Sequence, residues 1–203
     1  MKKKSSRNIT FFTINEDLEL IIKGLKPQMG QRFLSVCSSG DVPFALSEYG
    51  EVVAFDNNPE QIEYAKSRRD ELIEKMYNRC FMLNSEANWY LKGRKGSLRP
   101  ERIEFVYSGG ERFSPEGDFD AIYLSNIIGY CGDEDAEKGP ILIRCSKFLR
   151  PNGIIYVTNG NCIWPRFLSE NVPTLSIDVD LTEATNYHDV NSQWYPKVLR
   201  RIK

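Results

Sequence analysis

Five short apolar runs, separated by helix-like stretches, most limit what this chain can fold into. They are Arg32 to Cys37, Glu51 to Phe55, Ile103 to Tyr107, Phe119 to Leu124 and Gly153 to Thr158. Each has the length and the branched or aromatic content of a buried strand. Strands alternating with helices predict an α/β sheet with crossover helices. Two later segments, Thr174 to Asp180 and Gln193 to Ile202, supply an expected closing antiparallel pair, although Pro196 interrupts the second. At 203 residues the chain is expected to form one domain spanning 1–203, with 1–8 as a flexible basic tail.

The residues between the runs agree with this reading. Asp41 is placed to cap a helix reaching Tyr49, with Pro43 in its first turn and Gly50 ending it. Asn58 and Pro59 form a second cap-and-start pair, opening a charged helix that passes Lys75. A helix near Ile141 to Leu149 is followed by Arg150-Pro151-Asn152-Gly153, a turn into the fifth strand. Glu60 to Arg102 is long for one crossover, so two helices are expected there.

Composition removes several chemistries. Lys+Arg 27 against Asp+Glu 28 gives a net charge of -1, which does not steer the whole molecule toward nucleic acid or anionic lipid. The five cysteines are scattered without a C-x-x-C pair, so neither a disulfide framework nor a zinc cluster is expected. His188 is the only histidine, which leaves multi-histidine metal sites and Ser-His or Cys-His hydrolases unsupported. No apolar run approaches the roughly 18 residues of a membrane span, and no secretory h-region follows the basic N-terminus. The expectation is a cytoplasmic protein with no metal.

Two strand ends carry the chemical signal. Val36-Cys37-Ser38-Ser39-Gly40-Asp41 is a small-residue turn leaving the first strand for a helix. Small side chains let a ligand approach the backbone, and the helix start offers unpaired N–H groups. Asp56, with Asn57 beside it, ends the second strand eighteen residues after Ser38, where a carboxylate accepts hydrogen bonds from both hydroxyls of a ribose. The turn is neither G-x-G-x-x-G nor a P-loop, and Asp41 makes it a poor seat for a diphosphate. An acidic, hydroxyl-rich turn beside a ribose acceptor suits S-adenosylmethionine (SAM), which carries ammonium and sulfonium charges. Ser108-Gly109-Gly110-Glu111 brings Gly110 and Glu111 toward an adenine edge. After the fourth strand, Ser125 and Asn126 are expected beside the reactive sulfur, with Tyr130 walling the pocket. Asn126 and Tyr130 are therefore the candidate catalytic residues. Glu16, Glu111 and Tyr130 are the possible bases.

These motifs, from Arg32 to Thr158, resemble the class I SAM-dependent methyltransferase superfamily. The resemblance rests on Ser-Val-Cys-Ser-Ser-Gly-Asp41, Val-Ala-Phe-Asp56, Phe-Asp-Ala-Ile-Tyr-Leu-Ser-Asn126 and Leu-Arg-Pro-Asn-Gly-Ile-Ile-Tyr-Val157. It implies a Rossmann-like seven-stranded sheet, mostly parallel with an antiparallel last strand and helices on both faces. It also implies SAM over strands one, two and four, and methyl transfer to a small-molecule acceptor. The usual acid-x-Gly-x-Gly loop is reduced here to Gly40. With Asn15-Glu16-Asp17 before an apolar helix, and Phe-Asp56-Asn-Asn-Pro59-Glu-Gln61, the first seventy residues are similar to aminocarboxypropyl transferases of betaine-lipid synthesis. That likeness implies transfer of the amino-acid arm of SAM instead. A non-catalytic SAM- or nucleoside-binding module is a third reading. Nucleic acid is the least expected partner: Trp89 to Lys95 with Arg99 and Arg102 interleaves aromatics and cations, but a solvated helix end explains this better.

Overall fold

A computed structural model describes residues 10, 16–78, 91, 93, 94, 96–108, 117–125, 127, 135–158, 163, 165–185 and 195–202. The expected tail at 1–8 lies outside them. Helix α1 (Leu18–Leu25) precedes β1 (Gln31–Val36), α2 (Asp41–Leu46), β2 (Gly50–Asp56) and α3 (Pro59–Asn78). Then come β3 (Ile103–Tyr107), β4 (Phe119–Ser125), α4 (Asp135–Phe148) and β5 (Leu149–Val157). The chain closes with α5 (Pro165–Asn171), β6 (Leu175–Ile177), α6 (Val179–Thr185) and β7 (Lys197–Arg201).

The strands form one seven-stranded sheet of order β3-β2-β1-β4-β5-β7-β6. The pairs from β3 through β5 are parallel, and β7 is antiparallel to both β5 and β6. The expected closing pair is thus present, with β7 starting just after Pro196, where the missing N–H breaks no ladder bond within the strand. Period-2 geometry sends Phe33, Val52, Ala54, Tyr123 and Tyr156 to one face, packed with Ile21 and Leu25 of α1 and Phe44 of α2. Leu34, Val53, Phe55, Ile122 and Ile155 go to the other, under Leu142 of α4 and Phe167 of α5. Helices therefore cover both faces, as parallel strands require.

Three boundaries differ from the sequence reading. Asp41 is the first residue of α2, not its cap; Gly40 takes the cap position at φ 91, and the helix ends at Leu46. A Cβ on Gly40 would lie 2.8 Å from the Phe44 ring, so the turn needs glycine for both space and backbone. Strand β5 begins at Leu149, four residues early, because Leu149 pairs with Phe119 while Ile154 pairs with Ala121. The expected Pro-Asn-Gly turn is therefore absorbed as a bulge within the strand, with Asn152 at φ 64. The second helix expected before Arg102 falls largely outside the described residues. No helix among the described residues is long and apolar enough to cross a membrane.

Candidate functional site

Parallel strands β1, β2, β4 and β5 end at one edge of the sheet, and the chemically distinctive side chains gather there. At the tip of β2, Asp56 Oδ1 accepts the Asn58 N–H at 2.9 Å and Oδ2 accepts the Ser38 N–H at 3.2 Å. The two strand ends singled out by sequence are thus hydrogen-bonded neighbours. Burial pushes the Asp56 carboxyl up, and the backbone N–H groups of Asn58, Ser38 and Asn57 oppose that. The Asn58 and Ser38 bonds leave lone pairs available on both oxygens. Asn57 is exposed beside it. Asn58 Oδ1 accepts the Glu60 N–H at 3.0 Å, so the expected cap of α3 is in place.

The turn after β1 is held by groups behind it. Ser38 adopts φ 46, an uncommon state for a residue with a Cβ. Its carbonyl accepts the Gln61 amide at 2.7 Å, and Gln61 Oε1 in turn accepts the Thr10 N–H at 3.1 Å. Asp41 is buried, with Oδ1 receiving Arg68 Nη2 at 2.8 Å and Oδ2 receiving Ser39 Oγ at 2.6 Å. Arg68 Nη1 also donates to the Ser39 carbonyl at 2.6 Å. The carboxylate and hydroxyl expected at the ligand are engaged within the chain, where they fix the loop's shape against α3. Cys37 is buried, and burial, followed by the Asp56 charge, raises its thiol far from thiolate formation at neutral pH.

The other half of the edge is built around Glu16. Asp17 caps α1, its Oδ1 accepting Glu19 N–H at 2.9 Å and Leu20 N–H at 3.2 Å. Leu18, Ile21, Ile22 and Leu25 bury one face of that helix on the sheet. Gly24 permits close approach, since a Cβ there would lie 2.5 Å from the Tyr156 ring on β5. The cap thereby sets Glu16 over the ends of β4 and β5. Glu16 Oε1 accepts Ser125 Oγ at 2.7 Å; Oε2 accepts Tyr123 OH at 2.8 Å and Thr158 Oγ1 at 2.5 Å. Burial raises the Glu16 carboxyl above the ordinary glutamate range, and the three hydroxyls oppose the shift. Ser125, like Ser38, has positive φ, at 52.

Of the sequence candidates, Ser38, Asp56, Asn57 and Ser125 come to this edge, while Ser39, Gly40 and Asp41 form the buried base of the loop. Gly110, Glu111, Asn126 and Tyr130 lie outside the described residues. Tyr123 and Thr158 were missed as site residues. Their signal was a polar group on one face at two adjacent strand ends, Tyr-x-Ser on β4 and Thr after β5. A cavity of about 460 Å³ lies at the opposite edge, among Gly30, Arg32, Gly50, Arg102 and Arg150, away from all these groups. Part of the basic segment is held by its own chain. Arg94 pairs with Glu48 at 3.6 Å, and Arg99 donates to the carbonyls of Gly96 and Leu98.

No protein-family model and no curated protein matches the sequence. Solved structures do match in fold. One is the N-methyltransferase NodS from Bradyrhizobium japonicum WM9 in complex with S-adenosyl-L-homocysteine (SAH), at 13% identity and TM-score 0.57, covering 91% of this chain and 85% of that one. An rRNA methylase from Streptococcus thermophilus matches at 9% identity and TM-score 0.55, covering 94% of this chain and 100% of that one. A SAM-dependent O-methyltransferase from Thermotoga maritima matches at 16% identity and TM-score 0.56, covering 96% and 68%. The chain has the α/β Rossmann-like fold of class I methyltransferases. The likeness of its first seventy residues to betaine-lipid enzymes finds no counterpart among these neighbours.

Proposed function

We propose that this chain is a SAM-dependent methyltransferase acting on a small-molecule acceptor. The observation that carries the reading is the junction of Asp56 with Ser38 at the carboxyl edge of a class I methyltransferase sheet. An α/β sheet binds ligands in the crevice outside its carboxyl ends, at the point where strand order reverses. Here that point lies between β1 and β4, next to the junction.

The donor set fits the cofactor. Asp56 would hold the ribose diol with its remaining lone pairs, and Asn57 would flank it. The Ser38–Gly40 backbone would receive the amino-acid arm, and Ser125 would line the space toward β4. Gly110 and Glu111 would meet the adenine edge, with Asn126 and Tyr130 near the acceptor. When bound, SAM supplies a methyl carbon made electrophilic by its sulfonium. The protein's task is then to align an acceptor with that carbon and to exclude water. Arg68 and Asp41 contribute by keeping the loop in one conformation, so that little ordering is required on binding. A small acceptor is favoured over nucleic acid because Arg94 and Arg99, and also Arg200 with Asp178 at 2.5 Å, are engaged internally.

Calorimetric titration with SAH tests the reading. Wild type should bind, and Asp56→Ala should bind roughly 30-fold or more weakly, as expected for two hydrogen bonds to a charged acceptor. Equal affinity in the two proteins would remove the proposal. Once an acceptor is found, SAH as by-product indicates methyl transfer, whereas methylthioadenosine indicates transfer of the arm.

A further inference from the structure

We propose that Glu16, ringed by Tyr123, Ser125 and Thr158, is the binding site for the ammonium group of an amine acceptor. The inference deepens the reading of the carboxyl edge as a methyltransferase site and rests on it. Three hydroxyls, two from β4 and one from the residue after β5, converge on this one carboxylate, at 2.5–2.8 Å. Among the described residues, none of the ion pairs involves Glu16. Burying a carboxylate without a cation is costly, and neutral hydroxyls reduce that cost without cancelling the charge. A residue needed only to tie α1 to the sheet could be an amide or an apolar side chain at smaller cost.

Among the described residues, the groups facing Glu16 supply no positive charge. Asp17 stands next to it on the chain; Tyr123 faces it from β4 and Tyr156 from β5, both phenols held neutral by burial and by the Glu16 charge. Their rings lie 6.1 Å apart at 35° and belong to the buried core beside the carboxylate. A carboxylate with neutral donors and no cation favours an organic cation over an alcohol, because an alcohol brings no charge to offset. Position agrees as well. Asp56 ends β2, and β4 lies two strands away, about 10 Å at ordinary strand spacing. Glu16 therefore stands beyond the ribose anchor, on the side left for the second substrate.

The same group has a use after binding. An ammonium has no lone pair to attack with. One proton passes from the acceptor nitrogen to a Glu16 carboxylate oxygen, leaving a neutral amine and a carboxylic acid. The proton later leaves to water and the carboxylate is restored. Burial raises the proton affinity of Glu16 toward that of its partner, which favours this exchange.

The test compares wild type with Glu16→Gln at pH 7.5 in n-butylammonium chloride and in sodium chloride of equal ionic strength. Melting is followed with and without saturating SAH, and SAH affinity is measured separately by calorimetry. Wild type should melt about 2 °C or more higher in the amine, the shift given by a few-fold excess over Kd in a domain of this size. Glu16→Gln should show no such rise while binding SAH within twofold of wild type. The proposal is overturned by no rise in wild type, by an equal rise in Glu16→Gln, or by an equal rise of wild type in n-butanol. A larger loss of SAH affinity in Glu16→Gln also overturns it, assigning the carboxylate to the cofactor's own ammonium. Should Glu16→Gln not fold, Thr158→Val decides: at most half the wild-type rise supports the site, and any larger rise overturns it. Absence of SAH binding by wild type would count against the methyltransferase reading alone, since the melts without SAH still report on the amine.

Discussion

A buried acid, Asp41, and a half-buried one, Glu16, stand at the same edge of this sheet, and they are compensated in opposite ways. Asp41 has a side chain 0% exposed and faces a guanidinium that is itself only 10% exposed. Arg68 also lies 5.7 Å over the Phe44 ring and 5.9 Å over the Tyr64 ring, so the pair is enclosed by its own chain. Among the described residues, Glu16 is met by hydroxyls alone. A closed ion pair is complete without a ligand, whereas a carboxylate surrounded by neutral donors still lacks a countercharge. The sequence reading gave Asp41 the ligand role and Glu16 only a place among three possible bases. Compensation, which a sequence does not display, separates a carboxylate that belongs to the fold from one available to chemistry.

The largest effect should come from opening the closed pair. Asp41→Ala leaves Arg68 buried without its partner, a loss of about 3–5 kcal/mol, or roughly 10 °C in Tm for a domain of this size. Adding Arg68→Met should recover part of that loss, because no uncompensated charge then remains. Urea or thermal unfolding of the two singles and the double decides it; simple additivity would show that the pair is not coupled. The opposite sign is expected at the other acid. Glu16→Gln should stabilise the protein at pH 7.5 by about 1 kcal/mol, the usual scale when a residue held for function is replaced. Its pH dependence follows from the raised carboxyl. Because the folded pKa lies above the unfolded one, wild type loses stability as pH rises from the ordinary glutamate range through the folded value, then levels off. The gap between Gln variant and wild type should therefore widen over that window. A gap that stays constant from pH 4 to 8 would mean that Glu16 titrates alike in both states.

The two halves of the edge also differ in how far they could be read beforehand. The β1–β2 half is local: a strand, a small turn, a helix and an acid eighteen residues on, all within one crossover. Such contiguity fixed both the sheet order near Asp56 and the neighbourhood of Ser38. The Glu16 half joins residues 107, 109 and 142 positions apart. Tertiary packing of α1 against the sheet, with Gly24 close to Tyr156 of β5, brings them together. The ion pair of Asp41 was hidden from the sequence for the same reason, since Arg68 sits 27 residues away on α3 and its side chain turns back to the loop. Strand existence was legible from apolar runs; strand ends were less so, because the β5 bulge depends on pairing with β4.

The smallest effect concerns the backbone that both halves share. Ser38, two residues past β1, and Ser125, the last residue of β4, sit at φ 46 and 52, the left-handed region where a Cβ costs about 1–2 kcal/mol. Ser38→Gly removes that cost but adds about 0.5–1 kcal/mol of unfolded-chain entropy, for a net gain of about 0.5 kcal/mol. The expected rise is about 1–2 °C in Tm. The bonds that join this turn to Asp56 and Gln61 use the Ser38 N–H and carbonyl, so they survive the change. SAH affinity should then stay within twofold. Ser125→Gly relieves the same strain but loses the hydroxyl that donates to Glu16, and should show no gain. Matching gains at both positions would mean that the Ser125 hydroxyl contributes nothing to holding the carboxylate, and would leave Tyr123 and Thr158 to account for the Glu16 site between them.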